Sequence, residues 1–471
     1  MMIRRFVLIT ALLAIGAPAL ARGELKADID TLLAGKPLAR AQVGVQVIRL
    51  GQDPAGSAIL YARNPQLPLA PASNMKLLTT SAALQKLGGS FKFRTTLYQR
   101  GDDLVVVGDG DPTFGDAELL RPHGGSPVSL FQAWAELLKS RGVTRVGNVL
   151  LDDAVFDDEF AHPNWPPDDL PKRYGAQVAG LNLNANCIDF YLQPGGRGTV
   201  VSYRHEPATR YARISNTCLS GARSAVWLTR KPQTNDVTLR GEINAANGLP
   251  ISVSVHDPAM FFGAVMVETL RQHGIEVAGG AVRERWAQVE AATPLAAHET
   301  PIEVVLRRAN KDSVNLYAEA LLKRLGRQTS GQPGSFANGG EAIGQFLRSR
   351  GVDAAEFSID DGSGLSPQNR VSVNAITRVL MADFYSPNRE PFLASLAVGG
   401  ADGTLQKRFT NELRGRVYAK TGYIGGVRAL SGYLRGRSGN WYAFSILMNG
   451  TLTGEARQIA DKIVAAIDRA D

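Results

Sequence analysis

Pro71-Ala72-Ser73-Asn74-Met75-Lys76 directly precedes Leu77-Leu78-Thr79-Thr80-Ser81-Ala82-Ala83-Leu84, and together they predict a helix that begins near Ser73. Positions i and i+3 of a helix share a face, so Ser73 Oγ and Lys76 Nζ can meet as a nucleophile and a neighbouring base. The alternative is that Ser73 only caps the helix, since serine is a common N-cap residue. The S-x-x-K spacing alone does not distinguish the two.

Two strands are predicted before this helix. Residues 43–50 alternate between apolar and polar side chains, and residues 58–61 form their partner after a turn rich in Gly, Asp and Pro. Gly88-Gly89 ends the helix, because glycine readily adopts the left-handed conformation that closes a helix. The resulting order of strand, strand and helix places Ser73 at the edge of a sheet.

Short strands and turns dominate residues 90–295, which we interpret as an inserted α+β module that can itself divide into two subdomains. Two predicted helices, residues 131–141 and 261–273, end at Gly142 and Gly274, and each leads into a strand. The predicted strands are residues 91–98, 104–107, 146–151, 200–203, 225–228 and 237–243.

Helices return after the module, and a closing sheet follows them. The last helix carries Ile459, Ile463 and Ile467 on one face, which favours packing on that sheet over a membrane-surface role. Peripheral association with a membrane stays as the alternative. The other predicted elements are helices at residues 302–308, 314–325 (ending at Gly326), 340–350 and 373–384, and strands at 416–421, 429–435 and 441–448.

The first residues have the pattern of a secretory signal peptide. Arg4 and Arg5 form a basic region, residues 6–15 form an apolar region, and Ala19-Leu20-Ala21 forms a small-residue cleavage site. The apolar run is about ten residues long, whereas a bilayer span needs about 20. We therefore predict an exported, periplasmic protein whose mature chain begins at Arg22.

Composition excludes several classes of protein. With 471 residues, 44% hydrophobic and 20% charged, the chain is a folded protein of two or three domains. Its net charge of +8 is spread without a Lys/Arg block, which indicates a solvated basic surface, and nucleic acid is not expected as the partner of an exported protein. The six histidines lack H-E-x-x-H spacing, so no metal or other cofactor is indicated, and the absence of G-x-S-x-G argues against an α/β-hydrolase. Cys187 and Cys218 can pair in an oxidising compartment or remain free thiols, and both readings stay open.

Two further motifs accompany Ser73-x-x-Lys76. Ser313-Val314-Asn315 stands where a loop enters a helix, and Lys420-Thr421-Gly422 stands on a strand of the closing sheet. S-x-N also occurs at Ser372, a plain helix N-cap, and at Ser386, in a loop that contains proline. Ser313 is preferred because it opens a helix among the other helices of its region.

S-x-x-K, S-x-N and K-T-G in this order resemble the signature of the penicillin-recognising serine enzymes, the DD-peptidases and the serine β-lactamases. Within that superfamily, the insertion of about 200 residues between the first two motifs resembles the low-molecular-mass class C penicillin-binding proteins. These are the D-alanyl-D-alanine carboxypeptidase/endopeptidases of peptidase family S13. Three further stretches fit the family: Gly108–Pro112, Asp361–Ser366 and Gly399–Leu405.

The resemblance implies a fold of mixed helices and strands, α/β in the broad sense and α+β in the strict sense. The expected penicillin-binding domain, similar to that of the serine β-lactamases and transpeptidases, has an antiparallel sheet flanked by helices together with a helical subdomain. We therefore divide the chain into a signal peptide (residues 1–21), a DD-peptidase domain (22–89 and 296–471) and the inserted α+β module (90–295).

The resemblance also implies roles in acyl transfer. Ser73 is expected to attack the peptide carbonyl between two D-alanines, with Lys76 as general base, kept neutral by burial and by a nearby cationic Lys420. Ser313 is expected to relay a proton to the leaving amine, and Asn315 to hold both Lys76 and the substrate amide. No residue identifies itself as the base for deacylation.

Substrate binding is expected to involve the K-T-G strand. Lys420 and Thr421, beside Gly422, would bind the terminal carboxylate, and the backbone N–H groups of Ser73 and Tyr423 would form the oxyanion hole. Thr or Ser commonly follows K-T-G in the family and helps to hold the carboxylate, whereas this chain has Tyr423. A backbone donor does not depend on the side chain, so acylation is expected to persist, but the preference can shift from carboxypeptidase toward endopeptidase.

In the insert, Asp152 and Phe156 align with a family segment whose acidic residue can meet the free amine of the peptide stem. The expected partners are peptidoglycan peptides that end in D-Ala-D-Ala, with β-lactams as covalent inhibitors. The oligomeric state is left open by the sequence.

Two other functions compete with a penicillin-sensitive serine carboxypeptidase/endopeptidase. A serine β-lactamase uses the same motifs, but such enzymes normally lack a large insert. A non-catalytic β-lactam or muropeptide receptor would not need the full set of Ser73, Lys76, Ser313, Asn315 and Lys420.

Overall fold

A computed structural model of the chain describes residues 17–286, 292–451 and 454–471. They form two compact units of mixed α and β structure. The first contains the described residues up to Asn74 together with Leu347–Ser358 and Arg370–Asp471, and the second contains Met75–Phe346 and Ile359–Asn369. The predicted insert, residues 90–295, falls within the second unit, and its borders stay a prediction.

The predicted signal peptide lies only partly on described residues. Its basic and apolar regions, residues 4–15, lie outside them, and its cleavage site, residues 19–21, lies within the first helix. None of the helices in the described ranges combines the length and the apolarity needed to cross a bilayer.

Helices and strands occur in both units. The helices of the described residues are α1 (Ala17–Leu33), α2 (Met75–Leu87), α3 (Ala117–Leu120), α4 (Ser129–Ser140), α5 (Pro258–Gln272), α6 (Ile302–Asn310), α7 (Asn315–Ser330), α8 (Phe336–Ser349), α9 (Val373–Phe384), α10 (Arg389–Ser395) and α11 (Glu455–Arg469). The strands are β1 (Gln42–Leu50), β2 (Ala58–Arg63), β3 (Lys92–Arg100), β4 (Asp103–Gly108), β5 (Arg145–Val146), β6 (Val149–Asp152), β7 (Cys187–Gln193), β8 (Ser202–Glu206), β9 (Arg213–Asn216), β10 (Leu219–Ser220), β11 (Ala225–Arg230), β12 (Asp236–Ile243), β13 (Ile251–Ser254), β14 (Glu276–Val277), β15 (Ala281–Arg283), β16 (Ala296–Pro301), β17 (Phe357–Ser358), β18 (Arg370–Val371), β19 (Ala397–Val398), β20 (Val417–Ile424), β21 (Val427–Arg435) and β22 (Trp441–Asn449).

The first unit is built on an antiparallel sheet of six strands in the order β19-β20-β21-β22-β1-β2. β1 and β22 are far apart in the sequence but pair along their whole length, with Val45 opposite Ile446. Successive residues of a strand point to opposite faces, and Val45 lies in the apolar core with α1 and α11, while Gly44 faces Val373 of α9. Helices therefore cover both faces, which confirms the prediction of a sheet flanked by helices.

The last helix, α11, packs on this sheet as predicted. Ile463 and Ile467 are fully buried and Ile459 is nearly so, all within the core that includes β1, β21 and β22. The apolar face of α11 is thus covered inside the unit.

The second unit contains a mixed five-stranded sheet in the order β15-β6-β4-β3-β16 and several smaller sheets. The two predicted helix-to-strand units are confirmed. Gly142 after α4 and Gly274 after α5 have left-handed φ values of 76° and 80°, and β5 and β14, which follow them, pair in parallel. Both helices share one apolar core with the five-stranded sheet, in which Phe131 and Phe262 are fully buried.

Strand β7 was not predicted. It is buried along most of its length on both faces, and Ile188, Phe190 and Leu192 alternate in it with the more polar Asp189, Tyr191 and Gln193. Cys187 begins β7, and both it and Cys218 are buried and free. This is the second of the two alternatives for the cysteines.

The prediction that Gly326 ends a helix is wrong. α7 continues to Ser330 and is closed by Gly331, whose φ of 72° is left-handed. Gly326 lies inside α7 because α8 approaches closely there: a Cβ would lie 2.0 Å from Asn338 Oδ1 and 2.7 Å from Gly339 N. Close packing between helices, and not helix termination, explains this glycine.

Candidate active site

Ser73 lies in a short 3-10 turn, Ala72–Asn74, that directly precedes α2. The α-helix begins at Met75, so Ser73 stands just outside it. Ala72 has a φ of 46°, in the left-handed region that costs a non-glycine residue about 1–3 kcal/mol. Ala72 is buried, and the surrounding packing holds this strained conformation directly before the candidate nucleophile.

The K-T-G motif lies on β20, beside the Ser73 turn in the first unit. A Cβ at Gly422 would come within 2.8 Å of Pro71 O, so glycine is required where the turn approaches the strand. Lys420 is fully buried, and its Nζ donates to Thr421 O at 2.8 Å. The structure thus brings the turn of the first motif and the strand of the third together.

Asn74 anchors the turn to the sheet. Its side chain is fully buried, and its Nδ2 donates to Ser431 Oγ on β21 at 2.6 Å. Ser431 Oγ in turn is hydrogen-bonded to Ser445 Oγ on β22 at 2.8 Å. Removing one partner from a buried hydrogen bond costs about 1–3 kcal/mol, so this chain of polar groups resists displacement of Ser73.

Tyr423 lines a cavity of about 460 Å³ beside the K-T-G strand. Its side chain is 67% exposed, and the Arg428 guanidinium lies over its ring, 3.8 Å from the centroid. The two residues face each other across β20 and β21. Thr421, Arg408 and Arg457 also line the cavity, which is therefore cationic although Arg408 is paired with a carboxylate.

In the second unit, Lys76 on α2 meets Asn315 at the start of α7. Lys76 is fully buried, and its Nζ donates to Asn315 Oδ1 at 2.6 Å and to Ser363 O at 2.7 Å. Burial disfavours the charged ammonium and lowers the pKa of Lys76 to about 8, against the opposite effect of nearby carboxylates. At pH 7 this shift makes the neutral amine about 300 times more abundant than at the ordinary lysine pKa.

Glu319 holds the loop that contacts Lys76. It lies one helical turn beyond Asn315 on α7 and is fully buried. Its carboxylate accepts hydrogen bonds from Gly362 N at 2.9 Å and from Ser363 N at 2.7 Å. Burial raises the pKa of Glu319. Ser363 therefore links the two residues. Its carbonyl accepts the hydrogen bond from Lys76 Nζ, and its N–H donates to Glu319.

The same loop is braced by Asp361, the first residue of the Asp361–Ser366 stretch. Its carboxylate accepts hydrogen bonds from Gly364 N at 2.7 Å, from Ser366 N at 2.6 Å and from Trp165 Nε1 at 2.8 Å. Asp361 is fully buried. The stretch is therefore a rigid support behind Lys76.

Ser313 lies in the tight connection between α6 and α7, with a φ of 62° that is also left-handed. It is half-buried. Two residues later, Asn315 Nδ2 donates to Tyr174 O at 2.7 Å while its Oδ1 accepts from Lys76. Both ends of the Asn315 amide are thus held in place.

Asp152 ends β6 and is largely buried. Its carboxylate accepts hydrogen bonds from Ala154 N at 3.1 Å and from Trp286 N at 2.9 Å. Two backbone donors therefore already occupy the group expected to meet a substrate amine.

Phe156 is buried and forms a β-bridge with Gly334. Gly334 packs directly on the backbone of Lys323. Lys323 is eight residues beyond Asn315, and this length of α-helix rises about 12 Å. These contacts place Phe156 near the part of α7 that lies about 12 Å of helix beyond Asn315.

Sequence reasoning missed Asn74, Glu319 and Trp165. Glu319 could have been found, because residues four apart on a helix share a face and Asn315 was already a candidate. Trp165 and its partner Asp361 are 196 positions apart, and no local pattern links them. Among the described residues, no group of His, Cys, Asp and Glu side chains could hold a metal ion.

Comparison with known protein families and relatives identifies this arrangement. The model described as the D-Ala-D-Ala carboxypeptidase 3 (S13) family matches residues 25–470. A D-alanyl-D-alanine carboxypeptidase of Actinomadura sp. is 33% identical over 458 residues, which cover 91% of this chain and 81% of that protein. The D-alanyl-D-alanine carboxypeptidase DacB of Haemophilus influenzae is 26% identical over 402 residues, which cover 82% of this chain and 81% of that protein.

Solved structures agree in fold. Penicillin binding protein 4 (dacB) from Haemophilus influenzae aligns with a TM-score of 0.76 at 23% identity, covering 94% of this chain and 98% of that one. A predatory peptidoglycan endopeptidase from Bdellovibrio bacteriovorus aligns with a TM-score of 0.52 at 15% identity, covering 91% and 93%. The expected fold class is thereby confirmed. By the family model and the Actinomadura relative, this chain belongs to the D-Ala-D-Ala carboxypeptidase 3 (S13) family.

Proposed function

We propose that this D-Ala-D-Ala carboxypeptidase works through an acyl-enzyme on Ser73, with Lys76, Ser313, Asn315 and Lys420 completing its catalytic set. The observation that carries the proposal is the buried Lys76, whose Nζ contacts Asn315 Oδ1 and whose pKa is lowered to about 8. A solvated lysine stays protonated at neutral pH, whereas this amine can accept a serine proton.

In the proposed reaction, Ser73 Oγ attacks the carbonyl carbon of the penultimate D-alanine while Lys76 Nζ takes the hydroxyl proton. The carbonyl oxygen becomes an oxyanion that accepts hydrogen bonds from the N–H groups of Ser73 and Tyr423. Ser313 relays the proton to the leaving amine as the C–N bond breaks. Water then hydrolyses the ester and regenerates Ser73.

Carboxylate binding in this proposal belongs to Lys420, Thr421 and Arg428. The family commonly has a hydroxyl directly after K-T-G, and here Tyr423 carries Arg428 stacked on its ring at the edge of the cationic cavity. A guanidinium offers paired N–H donors that match a carboxylate. Arg428 therefore supplies the contact that the missing Thr or Ser would make.

Replacing Arg428 with glutamine is expected to raise KM for a D-Ala-D-Ala peptide about tenfold while kcat changes little, because a charged hydrogen bond to the substrate is lost. Steady-state release of D-alanine measures this. Arg457→Gln, on α11 in the same cavity, is the matched control and is expected to change KM less than about twofold. An equal effect of Arg428→Gln on a peptide whose terminal carboxylate is amidated would remove Arg428 from this role.

We further propose that the chain acts after export, in the cell envelope, on peptidoglycan stem peptides that end in D-Ala-D-Ala and on the cross-links made from them. β-Lactams would acylate Ser73 as they mimic the same peptide. The balance between carboxypeptidase and endopeptidase activity depends on how strongly the terminal carboxylate is bound, which links it to Tyr423 and Arg428.

The test is to express the full chain, purify it from the envelope fraction, and treat it with a fluorescent penicillin and then with D-Ala-D-Ala peptides and cross-linked muropeptides. We expect a stable covalent label, release of D-alanine or cleavage of cross-links, and a mass that lacks residues 1–21. Rapid penicillin turnover without peptide cleavage would favour a serine β-lactamase instead. Absence of both turnover and label would favour a non-catalytic receptor.

A further inference from the structure

The second unit contains a cavity of about 1010 Å³ on the outward face of β3. Along this strand, Phe93, Thr95 and Leu97 are buried on the inner face. The residues that alternate with them line the cavity: Lys92, Arg94, Thr96 and Tyr98. The C-terminal part of α7 and the segment after β15 also line the cavity. It is a formed concavity and not a flat sheet face.

This cavity is separate from the Lys76–Asn315 site. Arg327 lines it near the C-terminal end of α7, twelve residues beyond Asn315, and twelve residues of helix rise about 18 Å. Of the residues with expected roles, Asp152 alone among the described ones lines it, and the Asp152 carboxylate is directed to backbone N–H groups. The catalytic proposal leaves the cavity without a use.

Positive charge exceeds negative charge in the cavity. It is lined by five cationic side chains, Lys92, Arg94, Arg285, Arg324 and Arg327, and by two carboxylates, Asp109 and Asp152. Lys92 and Arg94 share Glu299 as an ion-pair partner, and Arg324 pairs with Asp109. Glu299 is thus one carboxylate for two exposed cations, and Arg285 has no ion pair among the described residues. The cavity therefore has an excess of cationic hydrogen-bond donors, which suits an anionic ligand.

Aromatic rings complete the wall. Trp286 lies edge-on to Tyr98, with ring centroids 5.3 Å apart, and both are half-buried at the cavity surface. Trp286 N donates to Asp152, which fixes the segment that carries the indole. Flat apolar rings beside charged donors suit a ligand that has both apolar ring faces and acidic groups.

We propose that this cavity binds an acidic saccharide, with its sugar rings against Trp286 and Tyr98 and its anionic groups paired with Arg94 and Arg285. The anionic groups can be carboxylates, as on a muropeptide, or phosphates, as on a phosphate-linked wall polymer. Binding here would hold an extended substrate about 18 Å from the catalytic lysine site along α7. The muropeptide source rests on the proposed function, whereas the binding of an anionic sugar does not.

The test is isothermal titration of the full chain with two probes, a muramidase-released disaccharide-tripeptide, which has no D-alanine to remove, and a glycerol-phosphate oligomer. We expect Arg94→Glu/Arg285→Glu to weaken binding of the preferred probe about tenfold or more, and a rise in salt to weaken wild-type binding. The matched control is Arg213→Glu/Arg223→Glu, which makes the same charge change at side chains that are 87% and 81% exposed elsewhere in the second unit. Should the glutamate pair fail to fold, Arg94→Gln/Arg285→Gln replaces it.

Preference for the disaccharide-tripeptide would identify a peptidoglycan strand, and preference for the oligomer a phosphate polymer. Absence of binding to both probes, or an equal loss in the control pair, would overturn the proposal. Release of D-alanine from a soluble D-Ala-D-Ala peptide should be unchanged in both pairs. If neither the wild type nor either variant pair releases D-alanine, but the Arg94/Arg285 pair still binds the probe more weakly than the control pair, the proposed function fails and the saccharide site stands.

Discussion

Replacement of Ser73 by alanine is expected to abolish covalent labelling by penicillin and to lower D-alanine release by about 10⁴-fold or more. An acyl-enzyme cannot form without the hydroxyl oxygen, and removal of a catalytic nucleophile leaves only the contribution of binding and of the oxyanion donors. Because the turn is anchored through Asn74, the loss of one hydroxyl should leave its backbone in place.

The intact mass of the protein after penicillin treatment measures this result directly. Ser386→Ala is the matched control, since Ser386 belongs to another S-x-N triplet in the first unit and its hydroxyl donates to Asp383 O. It should label as the unaltered protein does. A mass adduct that survives in Ser73→Ala would show that the nucleophile is a different residue.

Replacement of Lys76 by methionine is expected to slow acylation by about 10²–10⁴-fold, the usual contribution of a general base. Methionine keeps much of the buried volume but removes the proton acceptor and the donor to Asn315 Oδ1 and Ser363 O. Stopped-flow measurement of penicillin acylation gives the rate.

The pH dependence separates a base from a structural lysine. The reactive form is the neutral amine, and the pKa of Lys76 is lowered to about 8 by burial. Acylation should therefore rise about tenfold per pH unit below pH 8 and level off above it, since the neutral fraction follows the same curve. This limb should disappear in Lys76→Met.

Lys323→Met is the matched control for a lost buried lysine. Lys323 is also fully buried in the second unit, its Nζ donates to Asp157 Oδ1 and Glu159 O, and burial lowers its pKa. This variant should lose thermal stability but keep the acylation limb. If both lysine variants lose the limb equally, Lys76 is not the base.

The prediction of the fold succeeded where the local pattern is clear. β1, β21, β22 and α11 were found within a few residues, because the three strands are runs of strand-forming residues next to turn residues and α11 carries its isoleucines on one face. β7 was missed although Ile188, Phe190 and Leu192 alternate with Asp189, Tyr191 and Gln193. Gly326 was misread because a glycine demanded by a neighbouring helix has the same local pattern as a helix-ending glycine.

The candidate site was predictable as far as its three motifs reached. Lys76 and Asn315 meet as expected, and the Ser73 turn lies beside the K-T-G strand. The predicted roles of all these residues, and of Asp152 and Phe156, stay predictions. Asn74 was inside the quoted stretch but looked like a spacer, because its partner Ser431 is 357 positions away.

By itself, the sequence determined the chemistry and the family of this protein. The residue types and the order of the three motifs specify a serine, an amine three residues later and a K-T-G strand, and these are local properties of the chain. Tertiary structure alone decided the pKa of that amine. The pKa of Lys76 depends on desolvation by segments from distant parts of the chain and on a loop fixed by Glu319. Tertiary structure also created the cationic cavity on β3. The charged residues of β3, α7 and the segment after β15 become neighbours only when the chain has folded.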